Sequence, residues 1–137
     1  MQKLQTPAPW IVGLVVAGLT LPATGGAPHT PGLQGDAARG AQVYAANCGS
    51  CHSLDANRVG PAHRGVFGRK AGTAPGFAYS PALHSARFVW DQRMLDRWLQ
   101  NPQALVPGTR MGFRLGDPQR RADVIAYLRQ LSAAAGH

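Results

Sequence analysis

The feature that most constrains this chain is the pair of cysteines in the segment Cys48-Gly49-Ser50-Cys51-His52. They are the only cysteines among the 137 residues, so no third thiol can pair with either of them. Two thiols with this spacing can form thioether bonds with the vinyl groups of one haem, and the histidine that follows can then bind the iron. The segment therefore predicts a c-type haem attachment site, with Cys48 and Cys51 holding the haem and His52 as an iron ligand.

Two other uses of a cysteine pair are possible. A redox-active dithiol usually belongs to a thioredoxin-like βαβ unit, and no strand pattern precedes Cys48. A zinc site would need further ligands, with His63 and His84 as the candidates. Zinc-binding histidines are usually separated by three to five residues, whereas these two are 21 positions apart. Haem attachment is therefore favoured, although the cysteine pair alone leaves both alternatives open.

The N-terminal 25 residues have the pattern of a secretory signal peptide. After a positively charged start, an apolar run extends from Trp10 to Leu21, and Ala23-Thr24-Gly25 resembles a cleavage site. The run is shorter than the ~20 apolar residues that span a bilayer, so an uncleaved anchor is the second interpretation. Residues 26–35 are rich in proline and glycine and predict a linker. Residues 36–137 then form one small domain.

The sequence is strongly basic. Its 14 lysine and arginine residues against 6 acidic residues give a formal net charge of +8. Such an excess favours acidic partners or an anionic surface. The positive residues are scattered along the chain, however, and no nucleic-acid-binding motif is present. We therefore expect acidic-faced proteins, and no nucleic acid, as partners.

Three segments have helical periodicity. Asp36, Asp91 and Asp117 precede them as N-cap residues, and Pro118 suits the first position of the third helix. The second helix must end before Pro102, because the residue before a proline is disfavoured in the α conformation. The expected apolar stripes are Ala37, Ala41, Tyr44, Ala45 and Cys48 for the first helix, Met94, Leu95, Trp98 and Leu99 for the second, and Val124, Ile125, Leu128 and Leu131 for the third.

The segments between the helices have little periodicity. Residues 53–87 and 102–116 are rich in glycine and proline and indicate long loops. Such loops are uncommon in a compact domain unless a functional group organises them, and a haem would do so. Gly40 weakens the first helix, so we expect another helix to pack closely over it. The predicted fold is all-α, with three main helices and long haem-wrapping loops.

Taken together, these motifs resemble the class I c-type cytochromes over nearly all of residues 35–130. That family has the haem motif at the end of its first helix, then a Gly-Pro pair, a Pro-Gly-Thr-x-Met loop and a terminal helix that crosses the first. The matching segments are Cys48 to His52, Gly60-Pro61, Pro107-Gly108-Thr109-Arg110-Met111 and Arg121 to Leu128. Phe67-Gly68-Arg69-Lys70 and Asn101-Pro102 resemble the mono-haem branch of mitochondrial and bacterial soluble electron carriers.

The resemblance implies a set of ligands and haem contacts. His52 and Met111 would bind the iron, whereas Met94 lies on an apolar helix face and is expected in the core. Pro61 would pack on the His52 side of the haem, and the Gly60 carbonyl would accept the His52 ring N–H. The positions that match the family's haem-propionate contacts are Arg69, Tyr79, Trp90 and Thr109, although their spacing alone favours ordinary surface or core roles.

Three features depart from the family pattern. Leu105 and Leu83 stand where this branch often has a tyrosine and an asparagine, and the third is the segment His63-Arg64. His63-Arg64 replaces the usual Leu-His, which places a titratable imidazole where an apolar side chain is expected. Two interpretations remain open for His63. It faces solvent after a small adjustment of the loop, or it has a function of its own.

The resemblance implies a periplasmic one-electron carrier and not an enzyme, because both axial positions of the iron would be filled and no catalytic constellation is visible. It would hold one covalently attached haem c with its iron and act as a monomer. Its partners would be acidic-faced redox proteins or membrane electron-transfer complexes. The alternative is a dedicated haem electron-transfer subunit of a periplasmic dehydrogenase. An uncleaved N-terminal segment would make either one membrane-tethered.

Overall fold

A computed structural model of the chain describes residues 33–135, so the expected signal peptide and most of the expected linker lie outside the described residues. Within this range the helices are α1 (Ala37–Asn47), α2 (Pro81–His84), α3 (Gln92–Gln100), α4 (Pro102–Leu105) and α5 (Pro118–Ala134). An isolated antiparallel bridge joins Lys70 to Val89. The all-α class with three main helices is confirmed, and the short helices α2 and α4 occupy segments that were expected to be loops. Among residues 33–135, no helix has the length and apolar character needed to cross a membrane.

Each of the three long helices begins at the aspartate that the sequence predicted. The carboxylates of Asp36, Asp91 and Asp117 accept hydrogen bonds from the backbone N–H three residues further on, at 2.8, 2.7 and 3.0 Å. Each bond satisfies one of the N–H groups that a helix leaves without an internal partner. The end of α3 at Gln100, before Pro102, also agrees with the prediction. Local side-chain chemistry therefore sets the helix boundaries.

Helix α1 packs against α5 at a point where only glycine fits. A Cβ atom on Gly40 would lie 2.0 Å from the carbonyl oxygen of Asp123 in α5, far inside van der Waals contact. The expected close packing over Gly40 is confirmed. One turn further along, the rings of Tyr44 and Tyr127 meet edge to face with their centroids 5.6 Å apart.

The buried face of α1 differs from the predicted stripe. Gly40, Val43 and Tyr44 are its buried residues, whereas Ala45 is exposed. The prediction counted alanines as apolar and passed over Val43, but the close approach at Gly40 turns the helix so that Val43 enters the core. In α3 the predicted stripe is buried throughout. In α5 Leu131 is only partly buried.

Asp123 connects α5 to the start of α1 through three hydrogen bonds and accepts a fourth from within α5. Its side chain is only 4% exposed. It accepts from Nε and Nη2 of Arg39, both at 2.9 Å, from the backbone N–H of Asp36 at 2.8 Å and from the Gln119 amide at 2.9 Å. The Arg39 guanidinium in particular holds the pKa of the Asp123 carboxyl well below its usual range. The ionised form is therefore part of the packing between the two helices.

We expect Asp123→Asn to lower the free energy of unfolding at pH 7 by about 1–3 kcal/mol, because the amide cannot accept both bonds from Arg39. A carboxyl with a depressed pKa stabilises the fold above its unfolded pKa, and this contribution disappears as the pH falls through the folded pKa. The difference between wild type and variant should therefore shrink below about pH 4. Unfolding titrations with guanidinium chloride at several pH values measure this difference in free energy of unfolding.

Asp55→Asn is the matched control. Asp55 pairs with Arg64 at the surface, and its side chain is 67% exposed. Exposed ion pairs contribute little to stability, so this variant should unfold like the wild type at pH 7. If both variants lose the same free energy of unfolding, the contacts of Asp123 between α1 and α5 stabilise the fold no more than an exposed ion pair does.

Candidate haem-binding site

A cavity of about 430 Å³ lies beside α1, α3 and α5 and is bordered by the loops that connect them. Its walls are mostly apolar side chains, as expected for a site that encloses a large flat organic group. Every residue that the sequence analysis assigned to the haem borders it. These residues are Cys48, Cys51, His52, Pro61, Arg69, Tyr79, Trp90, Thr109 and Met111.

The two cysteines sit at the end of α1. Cys48 is its C-cap, and the backbone N–H groups of Cys51 and His52 both donate to the Cys48 carbonyl, at 3.1 and 2.8 Å. The turn that results brings both cysteines and His52 to the same cavity. The two thiols and the imidazole therefore lie at one cavity, as attachment of a single haem would require.

The alternatives for the cysteine pair find no support in this geometry. Burial, together with the neighbouring Cys51 thiol, raises the pKa of the Cys48 thiol to about 11, whereas redox-active dithiols depend on a lowered thiol pKa. Zinc binding would need additional ligands. Among residues 33–135, no three histidine, cysteine, aspartate or glutamate side chains are grouped closely enough to hold a metal ion.

His52 is held in the tautomer that an iron ligand requires. Its Nδ1 lies 2.9 Å from the Pro61 carbonyl oxygen, and because a carbonyl can only accept, the ring hydrogen is on Nδ1. Nε2 is left with a free lone pair, which is the form that binds metals. Burial also lowers the pKa of His52. The expected acceptor was the Gly60 carbonyl, and this expectation is wrong: the turn presents the carbonyl of the next residue, Pro61.

Gly60 contributes space instead. A Cβ atom at this position would lie 2.1 Å from Cε1 of the His52 ring. The Gly60 N–H donates to the Cys51 carbonyl at 2.9 Å, which fixes this loop against the cysteine segment. The Gly-Pro pair therefore holds His52 in two ways: Gly60 lies in close contact with the ring, and the Pro61 carbonyl accepts its hydrogen bond.

His63 is half-buried at the border of the cavity, which argues against the interpretation that it faces solvent. Its ring stacks on His52, with the centroids 3.9 Å apart and the planes inclined by 20°. Its Nδ1 lies 3.1 Å from the Tyr44 hydroxyl. Burial lowers the pKa of His63 well below its ordinary value, and His52 and Arg69 lower it further.

The loop that carries Met111 is braced from α4. Gly108 has a φ of +88°, which favours glycine, and allows the chain to turn after Pro107. The Gln103 amide donates to the carbonyl oxygens of Thr109 and Met111, at 2.7 and 3.3 Å. These contacts fix the backbone on both sides of Arg110 and leave the Met111 side chain at the cavity. Met94 instead is a buried member of the hydrophobic core, as predicted.

Polar groups in the wall still have hydrogen-bonding capacity. The Arg69 guanidinium donates to the carbonyls of Ala62 and Arg64, but its Nε is buried without a partner among the described residues. The Tyr79 hydroxyl accepts from the Ala74 N–H at 3.1 Å, so its own hydrogen is available to donate. Buried polar groups are normally paired, and a ligand with acceptor oxygens would satisfy both. A haem, with its apolar ring and propionates, fits this wall.

Sequence analysis missed one large part of the wall. Trp98 was predicted only as part of the apolar stripe of α3, yet it borders the cavity and packs edge to face on Trp90 with the centroids 5.2 Å apart. Leu83, in the unpredicted helix α2, borders it as well. An apolar stripe does not reveal whether it faces other side chains or a bound group, so no signal in the sequence distinguished the two cases for Trp98.

Comparison with known proteins gives consistent results. The family model described as "Cytochrome c" matches residues 37–132. Cytochrome c2 of Rhodomicrobium vannielii is 47% identical over 98 residues, which cover 69% of this chain and 78% of that protein. Cytochrome c of Euglena viridis is 44% identical over 100 residues, covering 71% and 98%. The structure of cytochrome cH from Methylobacterium extorquens is 45% identical, with a TM-score of 0.67, and covers 70% of this chain and 99% of that one.

We expect Gly60→Ala to lower the free energy of unfolding by about 1–3 kcal/mol, because the added methyl must displace the His52 ring or the loop. Gly116→Ala is the matched control, since a Cβ atom there meets nothing within 4 Å. Denaturant titrations compare the two variants, and NMR of the His52 ring should show a change for Gly60→Ala only. Equal behaviour of the two variants would contradict the close contact at Gly60.

Proposed function

The chain belongs to the cytochrome c family, and on this basis we propose that it is a carrier of single electrons between redox partners. Like other members of that family, it binds one haem c, and Cys48 and Cys51 are the proposed points of attachment. The observation that supports the proposal best is the shared cavity, which brings both thiols, His52 and Met111 to one apolar enclosure. The bound haem supplies a one-electron couple, and the protein positions the haem and tunes its electronics.

His52 and Met111 are the proposed iron ligands. The His52–Pro61 hydrogen bond leaves Nε2 unprotonated, and the bracing by Gln103 leaves the Met111 thioether at the cavity. A thioether ligand favours ferrous iron and raises the reduction potential. If His52 and Met111 both bound the iron, the protein would leave no coordination position open for a substrate, which supports electron transfer in preference to catalysis.

The propionates are proposed to meet the polar part of the wall. Arg69 offers its unpaired Nε, Tyr79 its hydroxyl hydrogen, and Trp90 its indole N–H. Thr109 borders the same cavity next to the Met111 loop and is only 7% exposed. Pro61 packs against the His52 side. These roles rest on the match to the family pattern and on the free donors in the wall.

The proposed location is the periplasm. Support comes from the N-terminal sequence, in which residues 1–25 have the pattern of a signal peptide and residues 26–35 that of a linker. Covalent haem attachment outside the cytoplasm agrees with export. If the apolar run is retained, the domain of residues 36–137 would be tethered to the membrane through it.

The proposed ligand pair can be tested with the exported, haem-loaded protein. The ferric wild type should show the weak long-wavelength sulfur-to-iron band, and Met111→Ala should lose it and allow small ligands to bind the iron. Met94→Ala is the matched control, because Met94 is buried in the core on α3. That variant should keep the band while its free energy of unfolding falls by about 2–5 kcal/mol. Loss of the band in Met94→Ala and its retention in Met111→Ala would overturn the assignment.

The rim of the cavity suits docking to an acidic partner. Val59 and Phe113 border the cavity and are exposed, at 80% and 38%. Two arginines lie beside them: Arg58 donates to the Gly49 carbonyl and Arg110 to the Ala78 carbonyl. We propose that partners contact this apolar centre and that the arginines, together with Arg114, steer the encounter. Carboxylates on the partner would provide the complementary charge.

We expect Arg110→Glu to slow electron transfer to an acidic redox partner at least about threefold at low ionic strength, because long-range steering depends on charge near the docking surface. The difference should vanish at high salt, where the Debye length is only ~3 Å. Stopped-flow kinetics measure the rate of electron transfer at low and at high ionic strength. Arg120→Glu, which makes the same change of net charge at the exposed start of α5, should have a smaller effect. If both variants behave alike, net charge and not the rim governs the encounter.

A further inference from the structure

The two imidazoles at the cavity form a stacked pair. The ring centroids of His52 and His63 are 3.9 Å apart, and the planes are inclined by only 20°. These values describe stacked rings, so each ring opposes a turn of the other out of the stacking plane. The family pattern has a leucine at the position of His63, and a leucine offers no flat face.

The other contacts of His52 leave one degree of freedom open. The hydrogen bond from Nδ1 to the Pro61 carbonyl fixes one edge of the ring, and Gly60 lies against Cε1. A single hydrogen bond tolerates a broad range of angles, so the ring can still tilt about the line from Cβ to Nδ1. The flat face of His63 opposes that tilt.

His63 is itself anchored on two sides. Its backbone N–H donates to the Ser53 carbonyl at 3.0 Å, and its Nδ1 lies 3.1 Å from the Tyr44 hydroxyl. Tyr44 is 6% exposed and packs edge to face on both His63 and Tyr127. Contacts therefore run without interruption from the packing of α1 on α5, through Tyr44 and His63, to His52.

We propose that His63 is a positioning residue that sets the plane of the His52 imidazole by stacking on it, with the Tyr44 hydroxyl holding the His63 ring. The inference rests on the proposed function, in which His52 binds the iron. The plane of an axial imidazole determines how the iron orbitals overlap with the ligand, and hence how unpaired spin is distributed over a ferric haem. His63 thus acts on the electronic state of the site without binding the iron.

The test uses the exported, haem-loaded protein in its ferric form. Proton NMR resolves the haem methyl resonances, whose relative shifts report the plane of the axial imidazole. His63→Leu, which removes the flat face and the hydrogen bond, should change the order or spacing of these resonances. Tyr44→Phe keeps the ring and removes only the hydroxyl, and it should shift them in the same direction by less. His63→Phe keeps a flat face and should remain nearest to the wild type.

The control separates positioning from simple space filling. Ile125→Val alters the hydrophobic core on α5 away from the cavity and should lower stability while leaving the methyl pattern in place. If His63→Leu and Tyr44→Phe also leave the pattern unchanged, the inference is overturned, and should His63→Leu fail to mature, Tyr44→Phe alone decides. The sulfur-to-iron band is recorded in parallel. Its absence from the wild type would refute the proposed ligands, whereas its presence with an unchanged methyl pattern refutes only the role of His63.

Discussion

The close packing of α1 on α5 is the constraint on which the rest of the structure depends. At Gly40 the backbone of one helix touches the backbone of the other, with no room for a single methyl group. Such an approach fixes both the distance and the rotation of the helices. The ionised Asp123, bonded to the N-cap residue Asp36 and to Arg39, fixes the relative translation of the two helices as well. With both helices fixed, the end of α1 can deliver the cysteine segment to one defined place.

The same packing reaches into the cavity. Tyr44 belongs to the helix contact on one side and to the cavity wall on the other. The loops contribute the remaining wall, and they are held mainly by hydrogen bonds to backbone carbonyls, as for His52 on Pro61 and Gln103 on Thr109. A rigid pair of helices therefore supports long segments with little regular structure of their own.

Features encoded by local chemistry could be predicted from the sequence. The cap at Asp91 and the haem motif at Cys48 each depend on residues a few positions apart, and the structure confirms both the cap and the shared cavity.

Features that depend on distant segments could not be predicted. The stack of His63 on His52 depends on how two loop turns fold back on each other. Arg121 is only 6% exposed, and it is buried because Asp96 and the backbone carbonyls of residues 115 and 116 surround its guanidinium. The carbonyl that accepts from the His52 ring N–H was predicted one residue too early, at Gly60 and not at Pro61. A sequence motif does not specify which carbonyl faces inward.

The partial burial of Cys48 has a consequence for the order of events during biogenesis. A thioether forms when a thiol adds to a vinyl group, and the reactive species is the thiolate. In the folded chain burial raises the pKa of the Cys48 thiol to about 11, so at neutral pH almost none of it is ionised. Burial of Cys48 in the folded domain therefore works against attachment there, and a chain whose cysteine segment is still open would react more readily.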